Sequence, residues 1–343
     1  FGCWNRRGHG TVNMAKGIYQ SCDVYFYTMA QRVGMDPIAA MARRCGLGQE
    51  FPLPVTSQFY GTVPDPAWKM KKWGREWQTF DTVNATIGQG YMLSSPLQLA
   101  VMASRLATGR HVLPRLTLGT KPQGFDKIDF PAEHVEFVRK AMSDVVNGPG
   151  TAGRARLPID DVLIAGKTGT AQVVSLSISN GKSGPWKYRD HGLFIFFAPY
   201  DNPRYAGAVV IEHGGGSGAA YPIARDVMTF MFDPAKGLQA LGALEKQWGG
   251  TAQQRLEARY ATYAAERGAE VRRPPRRDEE IFDRVEAEAR VAATQTDAIA
   301  DDVIAPRPEA DPAASPLSPE AAPTPRSPEP AASPVPPQGE VNE

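Results

Sequence analysis

Apolar residues recur along this chain with two periods, and the change from one to the other divides it. Val24, Phe26, Tyr27, Ala30 and Val33 follow Asp23 at helical spacing and end at Gly34, so a helix capped by Asp23 is predicted. Ser95-Pro96-Leu97-Gln98 is a stronger start signal. The serine caps, the proline takes the first turn and the glutamine closes a capping box. Leu99, Met102, Ala103 and Leu106 then form an apolar stripe, which Gly109 stops. A third helix is predicted from about Pro131 to Val146, with Val135, Val138, Met142 and Val145 on one face and Asn147-Gly148-Pro149-Gly150 ending it.

Beyond Gly150 the pattern becomes that of strands. Val162-Leu163-Ile164-Ala165 and Ala171–Val174 read as strand on either side of Gly166–Thr170. His191–Ala198 and Tyr205–Glu212 are two more runs, joined by the turn cluster Pro199-Tyr200-Asp201-Asn202-Pro203. Ile223–Phe232 returns to helix. Helices, then antiparallel strands, then a closing helix predict an α+β layered domain over residues 1–248. Residues 249–305 read as a charged helical extension. In it Thr251–Arg267 places Leu256, Tyr260 and Tyr263 on one side, and Asp278–Ala293 places Ile281, Val285, Ala289 and Ala292 on one side. Residues 306–343 hold twelve prolines, no aromatic residue and six acidic residues against two arginines. That composition buries too little apolar surface to offset the entropy of ordering, so a disordered Pro/Ala-rich tail is expected.

Composition narrows the class. A net charge of +1 gives no basic field for nucleic acid or an anionic membrane. No apolar run approaches the ~18 residues that span a bilayer. Three cysteines, Cys3, Cys22 and Cys45, are too few for a disulfide scaffold. The chain opens on Phe1, and is read as a piece whose front end is missing.

Two short stretches carry candidate chemistry. Lys167-Thr168-Gly169-Thr170 follows an apolar run. Lys167 there supplies a charge for an anion site, Thr168 and Thr170 supply hydroxyl donors, and Gly169 lets a ligand approach the backbone. The Thr170 N–H suits a tetrahedral oxyanion. Ser21-Cys22-Asp23 stands at the mouth of a helix. Its serine and aspartate serve either as helix caps or as a proton relay and the group that fixes the loop. Taken singly, each stretch is also what an ordinary strand or helix end looks like.

Ser-x-x-Lys, Ser-Asp-Asn and Lys-Thr-Gly form the signature set of serine β-lactamases and penicillin-binding proteins. Here Gly8-His9-Gly10, Ser21-Cys22-Asp23-Val24-Tyr25-Phe26-Tyr27, Gly88-Gln89-Gly90, Ser94-Ser95-Pro96-Leu97-Gln98-Leu99-Ala100, Ala165–Gln172 and His191-Gly192-Leu193-Phe194 come in order. Over about residues 1–235 the chain resembles the transpeptidase domain of class B penicillin-binding proteins, the elongation type (penicillin-binding protein 2) more than the division type. The resemblance implies the penicillin-binding/β-lactamase-like transpeptidase fold and an acyl-serine mechanism. A serine attacks a D-Ala-D-Ala stem peptide, the last D-alanine leaves, and an amine resolves the ester into a cross-link. It maps the second motif to Ser21 and Asp23, and the third to Lys167, Thr168, Gly169 and Thr170. Ser21 then shuttles a proton, Lys167 tunes the network, and Thr168 and Thr170 hold the substrate or β-lactam carboxylate.

The nucleophile motif departs from this pattern. The family places it several dozen residues before Ser-x-Asp, and only twenty residues precede Ser21. The one Ser-x-x-Lys, Ser179-Asn180-Gly181-Lys182, lies in a Ser/Asn/Gly-rich loop, which does not hold lysine one helical turn from serine, so it is read as accidental. The fragment alone is therefore expected to be unable to acylate, and to expose apolar surface.

Cys3, His9 and Cys22 form a candidate metal set. Two thiolates and an imidazole suit zinc, with a fourth ligand from the missing front end. The resemblance implies the same, since some elongation-type relatives carry a structural zinc beside the second motif. A Cys3–Cys22 disulfide, or buried thiols with a core histidine, are the alternatives, and Cys45 reads as a small buried hydrophobe. No organic cofactor is expected. The implied setting is the bacterial inner membrane, with an anchor upstream and the catalytic domain in the periplasm. Implied partners are stem peptides and β-lactams, a membrane glycosyltransferase and other elongation-machinery proteins. A serine β-lactamase and a non-catalytic penicillin-binding sensor are the rival readings.

Overall fold

The computed structural model describes residues 2–117, 124–175, 178 and 181–267. Asp278–Ala293 and the segment 306–343 lie outside them. One compact unit reaches Arg259, and the described residues from Tyr260 belong to a second.

Three helices come first and three more follow after the loop 45–65. They are α1 (Met14–Tyr19), α2 (Asp23–Val33), α3 (Met35–Arg44), α4 (Pro66–Trp73), α5 (Thr79–Thr86) and α6 (Pro96–Thr108). Helix α7 (Ala132–Asn147) leads to strands β1 (Ala165–Ala171), β2 (His191–Ala198) and β3 (Tyr205–Ile211). Helices α8 (Tyr221–Phe232), α9 (Pro234–Gln247) and α10 (Ala252–Arg267) follow. The signals at α6 act as the sequence predicts: Gln98 N–H donates to Ser95 Oγ at 3.3 Å, Ser95 N–H donates to Gln98 Oε1 at 3.1 Å, and Gly109 adopts the left-handed conformation.

Two expectations need correction. Asp23 does not cap α2; Cys22 holds the cap position without a side-chain bond, and Asp23 is the first helical residue. Asp23 instead accepts a hydrogen bond from Trp4 N–H at 3.2 Å, so its carboxylate turns to the N-terminal segment. Nor is Gly166–Thr170 a gap between strands. It lies inside β1, while Val162, Leu163 and Ile164 precede the strand.

The sheet is antiparallel in the order β1-β2-β3, with Lys167 opposite Ile195 and Thr170 opposite Gly192. Central strand β2 is buried on both faces, which explains its unbroken apolar run Leu193–Ala198. Phe194 and Phe196 pack with Ala220, Ala224 and Met228 from the α8 side. Phe197 and Ile195 pack with Ala107 of α6 and Met142 of α7. Phe194 and Phe197 are fully buried, each contributing about 1.5–3 kcal/mol of transfer free energy. A separate helical cluster joins Met35 and Ala39 of α3, Ala85 of α5 and Leu99 and Met102 of α6. Helices α2 and α5 pack together, so the second motif stands on the helical side and the Lys-Thr-Gly strand on the sheet side.

Candidate active site

The two motifs meet. Lys167 Nζ donates to Ser21 Oγ at 2.8 Å across 146 residues of sequence, and also to the Thr168 carbonyl at 2.9 Å. Ser21 sits in the turn between α1 and α2 with φ 52, one of two non-glycine residues with positive φ among the described residues. A serine held in left-handed backbone is a costly conformation that persists only where its surroundings fix it. Trp4 supplies part of that restraint: its indole N–H lies 3.0 Å from both the Gln20 and the Ser21 carbonyls.

Loss of water around the Lys167 ammonium lowers its pKa to about 8, and the nearby Asp23 carboxylate opposes the shift. Lys167 is therefore cationic at neutral pH but close to giving up its proton. Thr168 Oγ1 shares a 2.8 Å hydrogen bond with Thr151 Oγ1, from the loop after α7. Gly169 has room only for a tight fit, since a Cβ there would come within 3.3 Å of Leu193 Cβ. Thr170 is exposed at the end of β1. Gln89, in the loop after α5, donates from Nε2 to the Thr170 carbonyl at 2.8 Å. In an extended strand the N–H and C=O of one residue point to the same edge, so the Thr170 N–H also faces the edge away from β2.

Ser21 and Asp23 thus stand beside Lys167, and Thr168, Gly169 and Thr170 follow it along β1. Trp4, Gln89 and Thr151, which touch these residues, were not singled out from sequence. Gln89 stands in the sequence only as the middle of the motif fragment Gly88-Gln89-Gly90, and Thr151 carries no local signal. In the Ser179-Asn180-Gly181-Lys182 match, Ser179 and Asn180 lie outside the described residues.

Cys3, His9 and Cys22, the last between Ser21 and Asp23 in the chain, have ligand atoms all within 4.8 Å of one another. Cys3 Sγ is 3.5 Å from His9 Nδ1, His9 Nε2 is buried with no partner, and both cysteines are free thiols. Burial pushes the Cys22 thiol up; the Tyr25 backbone bond opposes this and Cys3 adds to it. Two soft donors and an orphaned buried imidazole nitrogen fit a zinc ion. A cavity of about 480 Å³ adjoins them, lined by Cys3, His9, Cys22, Tyr25 and Met29 among others.

Residues 1–229 match the family model described as penicillin binding protein transpeptidase domain. The chain belongs to the penicillin-binding protein transpeptidase family. It is 39% identical over 241 residues to peptidoglycan D,D-transpeptidase MrdA of Acinetobacter baumannii, a match covering 66% of this chain and 35% of that protein. The MrdA of Salmonella typhimurium strain SL1344 is 34% identical over 247 residues, covering 67% of this chain and 40% of that protein. Among solved structures, Pseudomonas aeruginosa PBP2 in complex with WCK 5153 is 36% identical with a TM-score of 0.55, covering 66% of this chain and 50% of that one. PBP2 of Helicobacter pylori in complex with MreC gives a TM-score of 0.60 at 28% identity, covering 68% of this chain and 42% of that one. The chain thus spans between a third and two-fifths of the length of the curated relatives cited. The fold is the mixed helix and antiparallel-sheet arrangement of penicillin-binding transpeptidases, and the similarity is to its elongation-type members. Among the described residues no helix is long and apolar enough to cross a membrane.

Proposed function

We propose that this domain performs peptidoglycan D,D-transpeptidation for cell elongation, in a longer protein that supplies the nucleophilic serine from a Ser-x-x-Lys outside these 343 residues. The observation that carries the reading is the 2.8 Å hydrogen bond from Lys167 to Ser21, which joins two motifs with no other reason to meet. In the proposed reaction the serine oxygen attacks the carbonyl carbon of the penultimate D-alanine. The peptide C–N bond breaks, the terminal D-alanine leaves with a proton, and an ester remains. An amine of a second stem peptide then attacks that ester and restores the serine hydroxyl. Ser21 and Lys167 relay the protons at the leaving and entering nitrogens. The Thr170 N–H faces the oxyanion, and Thr168 with Thr170 holds the terminal carboxylate beside the Lys167 charge. Asp23 holds Lys167 protonated through its field and fixes the N-terminal segment through Trp4.

Cys3, His9 and Cys22 would hold a structural zinc, which when bound stabilises both thiolates and pins the segment that carries Trp4 against Ser21. By analogy with the MreC complex of the Helicobacter protein, the partners are elongation-machinery proteins, and the setting is the periplasmic face of the inner membrane.

The test is labelling of the intact protein with a fluorescent penicillin, followed by mapping of the modified peptide. One stable label on the serine of a Ser-x-x-Lys, slowed by Lys167→Ala and by Ser21→Ala, is expected. Many turnovers of a chromogenic cephalosporin would instead mark a β-lactamase, and no label at all a non-catalytic binding module.

A further inference from the structure

The outer edge of β1 is occupied by a side chain of the protein itself. Gln89 Nε2 donates to the Thr170 carbonyl at 2.8 Å, and Gln89 Oε1 accepts from the Gln172 N–H at 3.3 Å. The C=O of one strand residue and the N–H of the residue two further on point the same way, and they are the pair that an added strand engages. One primary amide thus reproduces the hydrogen bonding of a peptide laid along β1. Its backbone is held, with the Gln89 N–H donating to the Asn84 carbonyl at 3.0 Å, and these two bonds hold its side chain. Gln89 is half-exposed, its flanking Gly88 and Gly90 both have positive φ, and a Cβ on Gly88 would meet nothing within 4 Å.

We infer that Gln89 is a displaceable clasp on the peptide subsite. An extended ligand pairs with β1 only when its own N–H replaces Nε2 at the Thr170 carbonyl and its own carbonyl replaces Oε1 at the Gln172 N–H. This rests on the transpeptidase reading above and adds a specificity determinant to it. Ligands that bring an amide to this edge compete with Gln89. Ligands without one leave it in place. Removing Gln89 therefore favours only the first kind, by about tenfold for two partly exposed hydrogen bonds.

The experiment compares acylation of the intact wild-type protein, Gln89→Ala and Gln89→Glu by benzylpenicillin, which carries an acylamido group, and by imipenem, which has none. Glutamate keeps the acceptor for Gln172 but offers the Thr170 carbonyl no donor. Expected is a second-order rate with benzylpenicillin about tenfold higher in Gln89→Ala and raised in Gln89→Glu, with imipenem unchanged within twofold. Hydrogen exchange reads the clasp directly: the Gln172 amide should lose protection in Gln89→Ala and regain it with benzylpenicillin. An equal change for both ligands, or a slower reaction with benzylpenicillin, overturns the clasp. If the wild type reacts with neither β-lactam, the transpeptidase reading fails and the clasp with it; if it reacts normally but the ratio between ligands does not move, the clasp alone fails. Should Gln89→Ala unfold early in a thermal scan, Gln89→Glu carries the comparison.

Discussion

At the scale of single residues the candidate site turns on Lys167. Its pKa of about 8 means that the cation needed to attract a carboxylate is present at pH 7 and mostly gone at pH 9. Noncovalent affinity of the free protein for a carboxylate-bearing β-lactam should be flat below pH 7 and fall by up to about tenfold as pH rises through 8. Lys167→Arg should flatten the profile. Stopped-flow separation of binding from acylation measures it, and a wild-type affinity constant from pH 7 to 9 would refute the assignment. The stability effect runs the other way. The unfolded lysine keeps its proton to about 10.5, so between roughly 8 and 10.5 the unfolded chain binds more protons and this group favours folding increasingly as pH rises. Lys167 thus lowers stability at neutral pH, where function needs its charge. Lys167 and Ser21 are both legible in the sequence because each sits in a recognisable tripeptide. That Thr151 braces Thr168 is not, because a threonine in a loop announces nothing until the fold brings it there.

At the scale of elements, the strand expected to break at glycine does not break. Gly166 lies where a Cβ would come within 2.4 Å of the Phe194 ring and 2.6 Å of the Ile195 carbonyl, so the glycine marks close approach of β2, not a turn. The capping box of α6 was legible in full, yet half of its glutamine's work was not. Gln98 is 1% exposed, and its Nε2 donates to the Gln49 and Tyr60 carbonyls, both at 2.8 Å. Sequence spacing reveals the first role because it is local; the second depends on two distant loops. The two roles separate by mutation. Ser95→Ala removes one cap bond and should cost about 1 kcal/mol. Gln98→Met removes the Ser95 N–H bond and also leaves the Gln49 and Tyr60 carbonyls without this donor, and should cost about 2–4 kcal/mol. Urea unfolding of the two variants decides it, and equal costs would mean that the amide serves only as a cap.

At the scale of the whole molecule, the question is what holds the N-terminal segment against the α1–α2 turn. Among its described residues, Gly2 to Asn13 form no helix or strand, so backbone ladders contribute nothing there. The ties are side-chain bonds: Trp4 to the Gln20 and Ser21 carbonyls, Trp4 N–H to Asp23, Lys16 to the His9 and Thr11 carbonyls, and the group Cys3, His9 and Cys22. Without an ion that group is poor glue, because burial keeps the Cys22 thiol protonated and His9 Nε2 has no partner. With zinc the same three atoms become the strongest link in the segment, and the restraint passes through Trp4 to the strained backbone of Ser21. Metal analysis of the intact protein should therefore find one zinc per chain. Chelation, or Cys22→Ser, should lower the thermal midpoint by several degrees and slow acylation more than it weakens noncovalent binding, because Ser21 is displaced while the β1 subsite survives. Since binding needs deprotonated thiols, zinc retention should also weaken as pH falls. Protein free of zinc with an unchanged midpoint would mean that packing alone positions Ser21, and an intact-mass loss of two hydrogens would assign the link to a Cys3–Cys22 disulfide.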